Sequence, residues 1–345
     1  MLNLWLKRMH LKRYNWINVL KSLAIVLMVF SNSAAYFFSS EVNVFFRIIS
    51  SLAAPLFIFI AGANLIFSNE AHFKKFLIRG GYLLVTAACI DVLIWRIVPF
   101  ATFDVLYLIS FGIIICGILR FGKSFDLAFG IIFILTSFLL QSNYRFELEE
   151  FGLFEKDLFS SISIRSNFKR AFIDGWFPIL PWIGFMFLGR WAMSIVNALD
   201  KKVRVFSLIF FVSTFCLVTQ SSLNPMRNNY IEIFYPVNGL FVLMSLAFLV
   251  SAISVTSYFS ERTFFKLESK YILGRKSLAV YILHCFFIAT FAETFPIREE
   301  LGFFLFCILQ FATFYAFIWL IELVYLKRII SNFPSPIKTI FGLNN

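Results

Sequence analysis

The chain alternates long apolar runs with short polar connections along nearly its whole length. A run of about 20 residues is what a helix needs to cross the hydrocarbon core of a bilayer. In runs such as LIFFVSTFCLV the apolar residues cover every helix face, and the period-two alternation of a membrane barrel is missing. The pattern predicts an all-α fold, a polytopic integral membrane helix bundle of about ten transmembrane helices. We place them over residues 16–38, 46–68, 78–98, 102–120, 125–142, 173–196, 203–222, 235–258, 274–295 and 302–326.

The connections between the runs are short, with one exception, and nothing resembles a linker between soluble domains. We therefore predict a single transmembrane domain over residues 1–345, with residues 1–15 as a basic cytoplasmic lead-in. Residues 143–172 are the longest polar segment and are predicted to form a long extracytoplasmic loop. A loop of this length either covers the outer mouth of the bundle or is only a solvated connection.

Composition and charge agree with a membrane protein. The 345 residues are 60% hydrophobic and 14% charged, whereas soluble domains carry about 25% charged residues. A net charge of +12 would suggest nucleic-acid binding in a soluble protein. Here most basic residues fall in alternate connections, as the positive-inside rule expects, so the excess predicts a topology with both termini cytoplasmic. We expect a multi-pass protein of a bacterial inner membrane, whose partner is the lipid bilayer and not nucleic acid.

Two polar residues of the first span share one helix face. Lys21 and Asn32 are eleven residues apart, which returns them to within about 20° of each other and separates them by about 16 Å along the axis. Met28 and Ala35 lie on the same face. Polar groups inside a bilayer are costly and often functional, so this face is a candidate site wall. The alternative is that Lys21 reaches the headgroups and Asn32 makes only an interhelical hydrogen bond.

The ninth span carries a second polar face. Ser277, Tyr281 and His284 follow the spacing i, i+4 and i+7, and His284 is the only histidine within a predicted span. His284 either takes part in a functional site or is a buried residue whose ring nitrogens are hydrogen-bonded within the core. Arg275 and Lys276 stand at the cytoplasmic mouth of this helix, where they either meet a phosphate-bearing ligand or serve as positive-inside anchors.

Further polar positions lie near the outer ends of predicted spans. Asp91 falls within the third span, and Arg96 and Asp104 flank the short connection that follows, where we expect an interfacial ion pair. Asn238 lies one turn inside the span that YPVNGLF opens. The sequence has no metal-ligand cluster and no phosphate-binding Gly loop, so no metal is expected.

Several segments, in this order, resemble the heparan-alpha-glucosaminide N-acetyltransferase catalytic-domain family, which is related to the type-3 membrane acyltransferases. INVLKSLAIVLMVFSN is similar to the family's opening, Ile-Asp-x-Leu-Arg-Gly-x-Ala followed by Met-Val-Phe-x-Asn/His. APLFIFIAGANL looks like its second-helix motif, and FDVLYLISFGIII looks like its Leu-x-x-Ile-Gly helix. FPILPWIGFMFLGR, YPVNGLFVLMSLAFL and LGRKSLAVYILH are similar to its later signatures.

The resemblance implies a bundle of ten or eleven helices that takes an acyl group from cytoplasmic acyl-CoA, such as acetyl-CoA. The group passes to an amine or hydroxyl of a sugar or glycoconjugate. By motif, His284 falls on the family's Tyr-x-x-His position, Asn32 on its Asn/His position and Asn238 on its Pro-x-Asn position. The implied site comprises His284 as general base, Asn32, Asn238 and Tyr281 toward the acceptor, and Lys21, Arg275 and Lys276 toward the CoA phosphates.

The chain departs from the family pattern at several positions. Asn18, Lys21 and Ser22 stand where the family opening has Asp and Arg-Gly, and Gly239 replaces a lysine. The family's proposed catalytic histidine between the first two helix motifs has no counterpart in residues 33–54. Acyl transfer needs a base and a stabilised oxyanion. The base here would be His284 or a carboxylate such as Asp91 or Asp104.

Two functional hypotheses follow from the sequence. The first is an acyl-CoA-dependent membrane acyltransferase that acts on a sugar or glycoconjugate. The second is a catalytically inactive relative that acts as a permease or flippase subunit or as a membrane assembly partner. The missing family histidine favours the second, whereas His284 and the Lys21/Asn32 face favour the first.

Overall fold

The computed structural model describes residues 15–38, 43–67, 73–143, 170–195, 201–220, 234, 237, 239–259, 272–297 and 299–323. Within these ranges the regular elements are helices. Two sequence predictions, on residues 1–14 and on Asn238, and most of the predicted loop 143–172 lie outside the described residues. The α-helices are α1 Asn15–Phe37, α2 Val44–Ser51, α3 Ala53–Asn64, α4 Phe73–Ile90, α5 Val105–Ile118, α6 Lys123–Asn143, α7 Ile179–Ile195, α8 Lys201–Gln220, α9 Gly239–Phe259, α10 Ile272–Arg275, α11 Ser277–Phe291 and α12 Glu300–Glu322.

Long apolar helices account for most of the described chain, so the protein is a helical membrane protein. Six segments are long and apolar enough to cross a membrane: Trp16–Phe37, Val44–Asn64, Phe73–Trp95, Lys123–Leu140, Gly239–Phe259 and Glu300–Glu322. Four shorter apolar helices lie over Val105–Ile118, Ile179–Ile195, Val205–Leu217 and Ser277–Phe291. These segments fall on the ten predicted spans, but the number that crosses the membrane and the side of the termini stay predictions.

Helix α1 lies at the centre of the bundle. It packs against α2, α3, α9, α10, α11 and α12. Around it, α7 packs closely against α3 and α6, α4 pairs with α5, and α8 packs mainly against α9. Any groove along α1 is therefore walled by several helices.

Two glycines allow α3 and α7 to approach each other closely. A Cβ added to Gly62 on α3 would clash with the backbone oxygen of Met186, and one added to Gly189 on α7 would clash with that of Phe59. Small residues let helix backbones come together in a bilayer, where packing replaces the hydrophobic effect as the driving force. The contact fixes α7 against α3, which itself packs against α1.

A buried arginine on α7 links α6 to the C-terminal end of α5. Arg190 on α7 is 4% exposed, pairs with Asp126 on α6, and donates to the carbonyl oxygens of Cys116 and Leu119 where α5 ends, the latter at 2.6 Å. The last carbonyls of a helix have no partner within it. Arg190 thus neutralises a buried carboxylate and caps α5 with one side chain.

We expect Gly62→Ala and Gly189→Ala each to lower the free energy of unfolding by about 1–3 kcal/mol, because the added methyl meets backbone that cannot yield. Gly81→Ala is the matched control, since nothing lies within 4 Å of a Cβ added there. Its stability should be unchanged, or higher by up to about 1 kcal/mol. Unfolding in detergent measures all three, and a tolerated Ala at Gly62 would contradict the close contact.

Removal of one partner from the Arg190 cluster should be strongly destabilising. Asp126→Asn leaves a buried cation and should cost about 3 kcal/mol. Arg190→Met should cost more, because it also leaves the carbonyl oxygens of Cys116 and Leu119 without a donor. The double variant Arg190→Met/Asp126→Leu should be more stable than Arg190→Met alone, because it leaves no unpaired buried carboxylate. Thermal unfolding of the series in detergent measures the differences. Equal stability of all variants would contradict a buried pair.

Candidate functional site

A cavity of about 620 Å³ runs along one face of α1. The residues of α1 in its wall are Lys21, Met28, Ser31, Asn32, Ala35 and Tyr36. The helix face predicted from the spacing of Lys21, Met28, Asn32 and Ala35 is therefore confirmed as one wall. Lys21 and Tyr36 are separated by about 22 Å along the helix at about 1.5 Å per residue, which is most of the roughly 30 Å of a bilayer core.

One end of the cavity, called here the Lys21 end, carries cationic and neutral polar groups. Lys21 on α1 and Arg79 on α4 both line it, together with Asn64 at the end of α3 and Ser277 at the start of α11. The Asn64 amide donates to Ile60 O at 2.9 Å, which leaves its oxygen directed away from that carbonyl. This end is suited to an anionic group.

The opposite end, called the Tyr36 end, carries acidic and aromatic groups. The carboxylates of Asp91, Asp104 and Glu293 line it. The aromatic residues there include Trp95, Trp176 and Phe177. The two ends of one cavity thus differ in chemistry, with basic side chains at one and carboxyl and aromatic side chains at the other.

Asp91 begins a π-helical turn, Asp91–Trp95, that ends α4. Its Oδ2 accepts a hydrogen bond from Tyr107 Oη at 2.6 Å, and the same hydroxyl accepts from the Phe100 amide at 3.2 Å. π turns occur often at functional sites. Tyr107 therefore holds Asp91 and the following loop in one arrangement.

Asp104 is the N-cap of α5. Its Oδ1 accepts from the Val105 amide at 2.6 Å, and its Oδ2 accepts from the hydroxyl of Tyr281 on α11. The expected ion pair between Arg96 and Asp104 does not form among the described residues, and Asp104 accepts hydrogen bonds from Val105 and Tyr281 instead. Asp104 instead ties the start of α5 to α11 across the cavity wall.

The backbone between the two aspartates is strained. Arg96, Phe100 and Phe103 have φ values of 55, 69 and 51°, a region that non-glycine residues seldom adopt. Such strain persists where the surrounding structure fixes it, and it clusters at active sites. The segment is anchored by the amides of Trp176 and Phe177, which donate to Thr102 O and Phe103 O at 2.9 and 3.0 Å.

Behind the middle of the cavity lies a hydrogen-bonded cluster of four side chains from three helices. Asn32 Nδ2 lies 3.2 Å from His284 Nε2, and His284 Nδ1 lies 2.7 Å from Gln310 Oε1. Gln310 Nε2 donates to Ser33 Oγ at 2.7 Å. His284 is 1% exposed and is not part of the cavity wall. It contacts the wall through Asn32, because it lies at the edge of the α11 face that Ser277, Tyr281 and Cys285 present.

Residues 13–225, more than half of the chain, match the family model for heparan-alpha-glucosaminide N-acetyltransferase, catalytic. The chain belongs to this family. A search of curated proteins gave no match. The match covers α1 to α8 and includes Lys21, Asn32, Asp91 and Asp104, but it ends before the helix that carries His284. The expected resemblance is thus confirmed for the family, while the later segments are related to the site by the structure alone.

Arg275 and Lys276, expected to contact CoA phosphates, are not part of the cavity wall. Arg275 Nη2 lies 3.7 Å from Glu322 Oε1 on α12, and Lys276 is only 3% exposed. The chain is held there by Gly274, whose amide donates to Ser22 Oγ at 3.0 Å. This short link packs α10 against α1.

Sequence analysis missed three residues of this site. Gln310 stands alone in the apolar run FCILQFATF, which is a signal that a count of all polar residues inside spans would have included. Arg79 lies near the start of the predicted span 78–98, so the same count of polar residues would have included it. Tyr107 gave no signal, because an aromatic residue in an apolar span is ordinary.

The cavity wall on α1 should be open to aqueous reagents. Ala35 is exposed and lines the cavity, whereas its neighbour Ala34 is fully buried. Ala35→Cys should therefore react with a small cationic thiosulfonate at least about tenfold faster than Ala34→Cys. Peptide mass spectrometry distinguishes these sites from the native cysteines. Equal rates would show that the two positions do not differ in access.

Proposed function

We propose that this chain is a membrane acetyltransferase, or a closely related acyltransferase, of its family. It moves an acyl group from acyl-CoA to an amine or hydroxyl of a sugar or glycoconjugate. One observation carries the proposal: a single cavity joins a cationic end to an acidic and aromatic end, with Asn32 between them. A thioester donor with phosphates and a sugar acceptor require different surroundings at the two ends of one site.

The donor enters at the Lys21 end in this proposal. Lys21 and Arg79 contact the phosphates of acetyl-CoA, and the positive-inside rule makes this end the cytoplasmic one. Where the family opening has an arginine, Lys21 keeps the charge but not the planar fork that grips phosphate with two hydrogen bonds. Arg79, from a different helix, supplies that fork.

The acceptor binds at the Tyr36 end. Trp95, Trp176 and Phe177 provide aromatic surfaces for a sugar ring, and Tyr281 and Asn32 provide hydrogen-bonding groups. Attack on the thioester carbonyl requires a base that takes the proton from the amine or hydroxyl. Asp91 and Asp104 both line the wall, so one of them takes that proton as the new C–N or C–O bond forms and the C–S bond breaks. The same carboxyl group then passes the proton to the sulfur, and CoA leaves as the thiol.

His284 has a different role in this proposal from the one expected of a general base. Its Nε2 contacts Asn32 and its Nδ1 contacts Gln310, so neither ring nitrogen lies at the cavity wall. A base must come within hydrogen-bonding distance of the proton it takes. We therefore assign His284 to positioning of Asn32, and direct catalysis by His284 becomes the alternative to be tested.

A second function, a non-catalytic relative in transport or assembly, is favoured by one observation: residues 33–54 contain no histidine. A cavity that extends along most of α1 also suits a permease or flippase subunit. The two functions differ in turnover, since only the enzyme converts acetyl-CoA in the presence of an amino sugar.

The test uses purified protein in nanodiscs with acetyl-CoA and glucosamine-containing acceptors. Lys21→Ala and Arg79→Ala should each weaken acetyl-CoA binding about tenfold, the loss expected for a charge-assisted hydrogen bond. Asp91→Asn or Asp104→Asn should lower kcat by about 10²-fold or more with the Kd for acetyl-CoA unchanged. Lys123→Ala is the control, because Lys123 is an exposed cation outside the cavity wall.

Three outcomes would contradict the proposal. If the wild-type protein shows no saturable binding of acetyl-CoA, the proposed acyltransferase activity is refuted. Saturable binding without turnover on any amine or hydroxyl acceptor would favour the non-catalytic relative. A loss of turnover in His284→Ala as large as in the Asp variants, together with full activity of Asp91→Asn and Asp104→Asn, would return the role of base to His284.

A further inference from the structure

Gln310 is a buried amide in the middle of the apolar helix α12, and neither the family match nor the proposed transfer gives it a role. Both of its polar atoms are used, Nε2 by Ser33 and Oε1 by His284. Gln310 and Ser33 are fully buried, and His284 is nearly so. A change at Gln310 therefore reaches the cavity through His284 and Asn32.

The hydrogen positions in this cluster follow from the atoms that face each other. A carbonyl oxygen only accepts, so Gln310 Oε1 takes its hydrogen bond from His284 Nδ1–H. A neutral imidazole with its hydrogen on Nδ1 carries its lone pair on Nε2. Nε2 then accepts from Asn32 Nδ2. The amide oxygen of Asn32 is left as the atom directed to the cavity.

We propose that Gln310 is a positioning residue that fixes the tautomer of His284 and thereby presents the carbonyl oxygen of Asn32 to the cavity. In this orientation Asn32 accepts a hydrogen bond from one N–H of an amine acceptor, whose second N–H is left for the carboxylate that takes the proton. That bond aims the acceptor's lone pair at the thioester carbonyl. With the hydrogen on His284 Nε2 instead, Asn32 would turn its NH₂ group to the cavity and could not accept this bond.

The cluster also explains why the positioning group is an amide. Gln310 both donates and accepts, so Ser33 on α1 and His284 on α11 are held by one side chain of α12. A hydroxyl at this position would be too short to join both, and a lysine would only donate. The direction of the hydrogen bonds is thus set at Gln310, which is not part of the cavity wall. The role of Asn32 toward the acceptor rests on the proposed function, whereas the tautomer does not.

The tautomer is tested without turnover. The chain has three histidines, so His10→Ala and His72→Ala leave His284 as the single histidine. ¹⁵N-histidine labelling and solid-state NMR of this variant in lipid bilayers report which ring nitrogen carries the hydrogen. We expect it on Nδ1. A hydrogen on Nε2 overturns the proposal, whether or not the protein is an acyltransferase.

A variant series tests the consequence for the site. Gln310→Leu removes both contacts, whereas Gln310→Glu in its neutral form keeps a carbonyl oxygen for His284 and an O–H for Ser33. Thr313→Val is the matched control on α12, since the exposed Thr313 hydroxyl donates to Leu309 O of its own helix at 2.8 Å. Nanodiscs with acetyl-CoA and an amino-sugar acceptor provide Kd, KM and kcat.

We expect Gln310→Leu to lower kcat/KM for the acceptor about tenfold, the effect of one lost hydrogen bond, with the Kd for acetyl-CoA unchanged. Gln310→Glu should lie within about twofold of wild type, and Thr313→Val should equal it. Equal losses in the Leu and Glu variants, or a parallel loss of acetyl-CoA binding, would show a merely structural residue and overturn the proposal. If Gln310→Leu does not fold, the tautomer measurement decides. Absence of turnover in wild type would refute the proposed function and leave the tautomer result standing.

Discussion

Hydrocarbon offers no hydrogen bonds, and the structure depends on this constraint more than on any other. A polar side chain inside the bundle has to find its partner in the protein, either on its own helix or on a neighbouring one. Ser110 Oγ on α5 donates to Gly80 O on α4 at 2.5 Å, and Ser251 Oγ on α9 donates to Ser207 O on α8 at 2.7 Å. Apolar packing alone would let such helices slide, whereas each of these bonds fixes one register.

The positions of the helices follow from run length, because the bilayer sets how long an apolar segment must be. The points at which a helix breaks inside one apolar run do not follow from the length of the run. The predicted span 46–68 covers most of α2 and all of α3, which meet at Leu52. The predicted span 274–295 covers the second half of α10 and all of α11, which meet at Lys276. A break in a helix exchanges one backbone hydrogen bond for another and leaves the apolar side chains of the segment unchanged. The pattern of apolar residues therefore cannot predict where a helix breaks.

The candidate site was predictable where one helix contributes a whole face, and not where several helices meet. The wall of α1 follows from a turn of about 100° per residue. His284 lies at the edge of its own face, and its direction is decided by Asn32 and Gln310 on other helices. Likewise the partner of Asp104 is a tyrosine from α11 and not the arginine eight residues before it. Sequence spacing carries no information on such cross-helix choices.

Because of the π turn at the end of α4, one wall of the cavity depends on the number of residues between Asp91 and Trp95. A turn closed by i→i+5 bonds holds more residues than an α turn, and both Asp91 at its start and Trp95 at its end line the cavity. Loss of a single residue between them would restore α geometry and carry a different side chain into the place of Trp95. At this wall, therefore, insertions and deletions, and not substitutions, are the natural route by which relatives would come to accept different molecules.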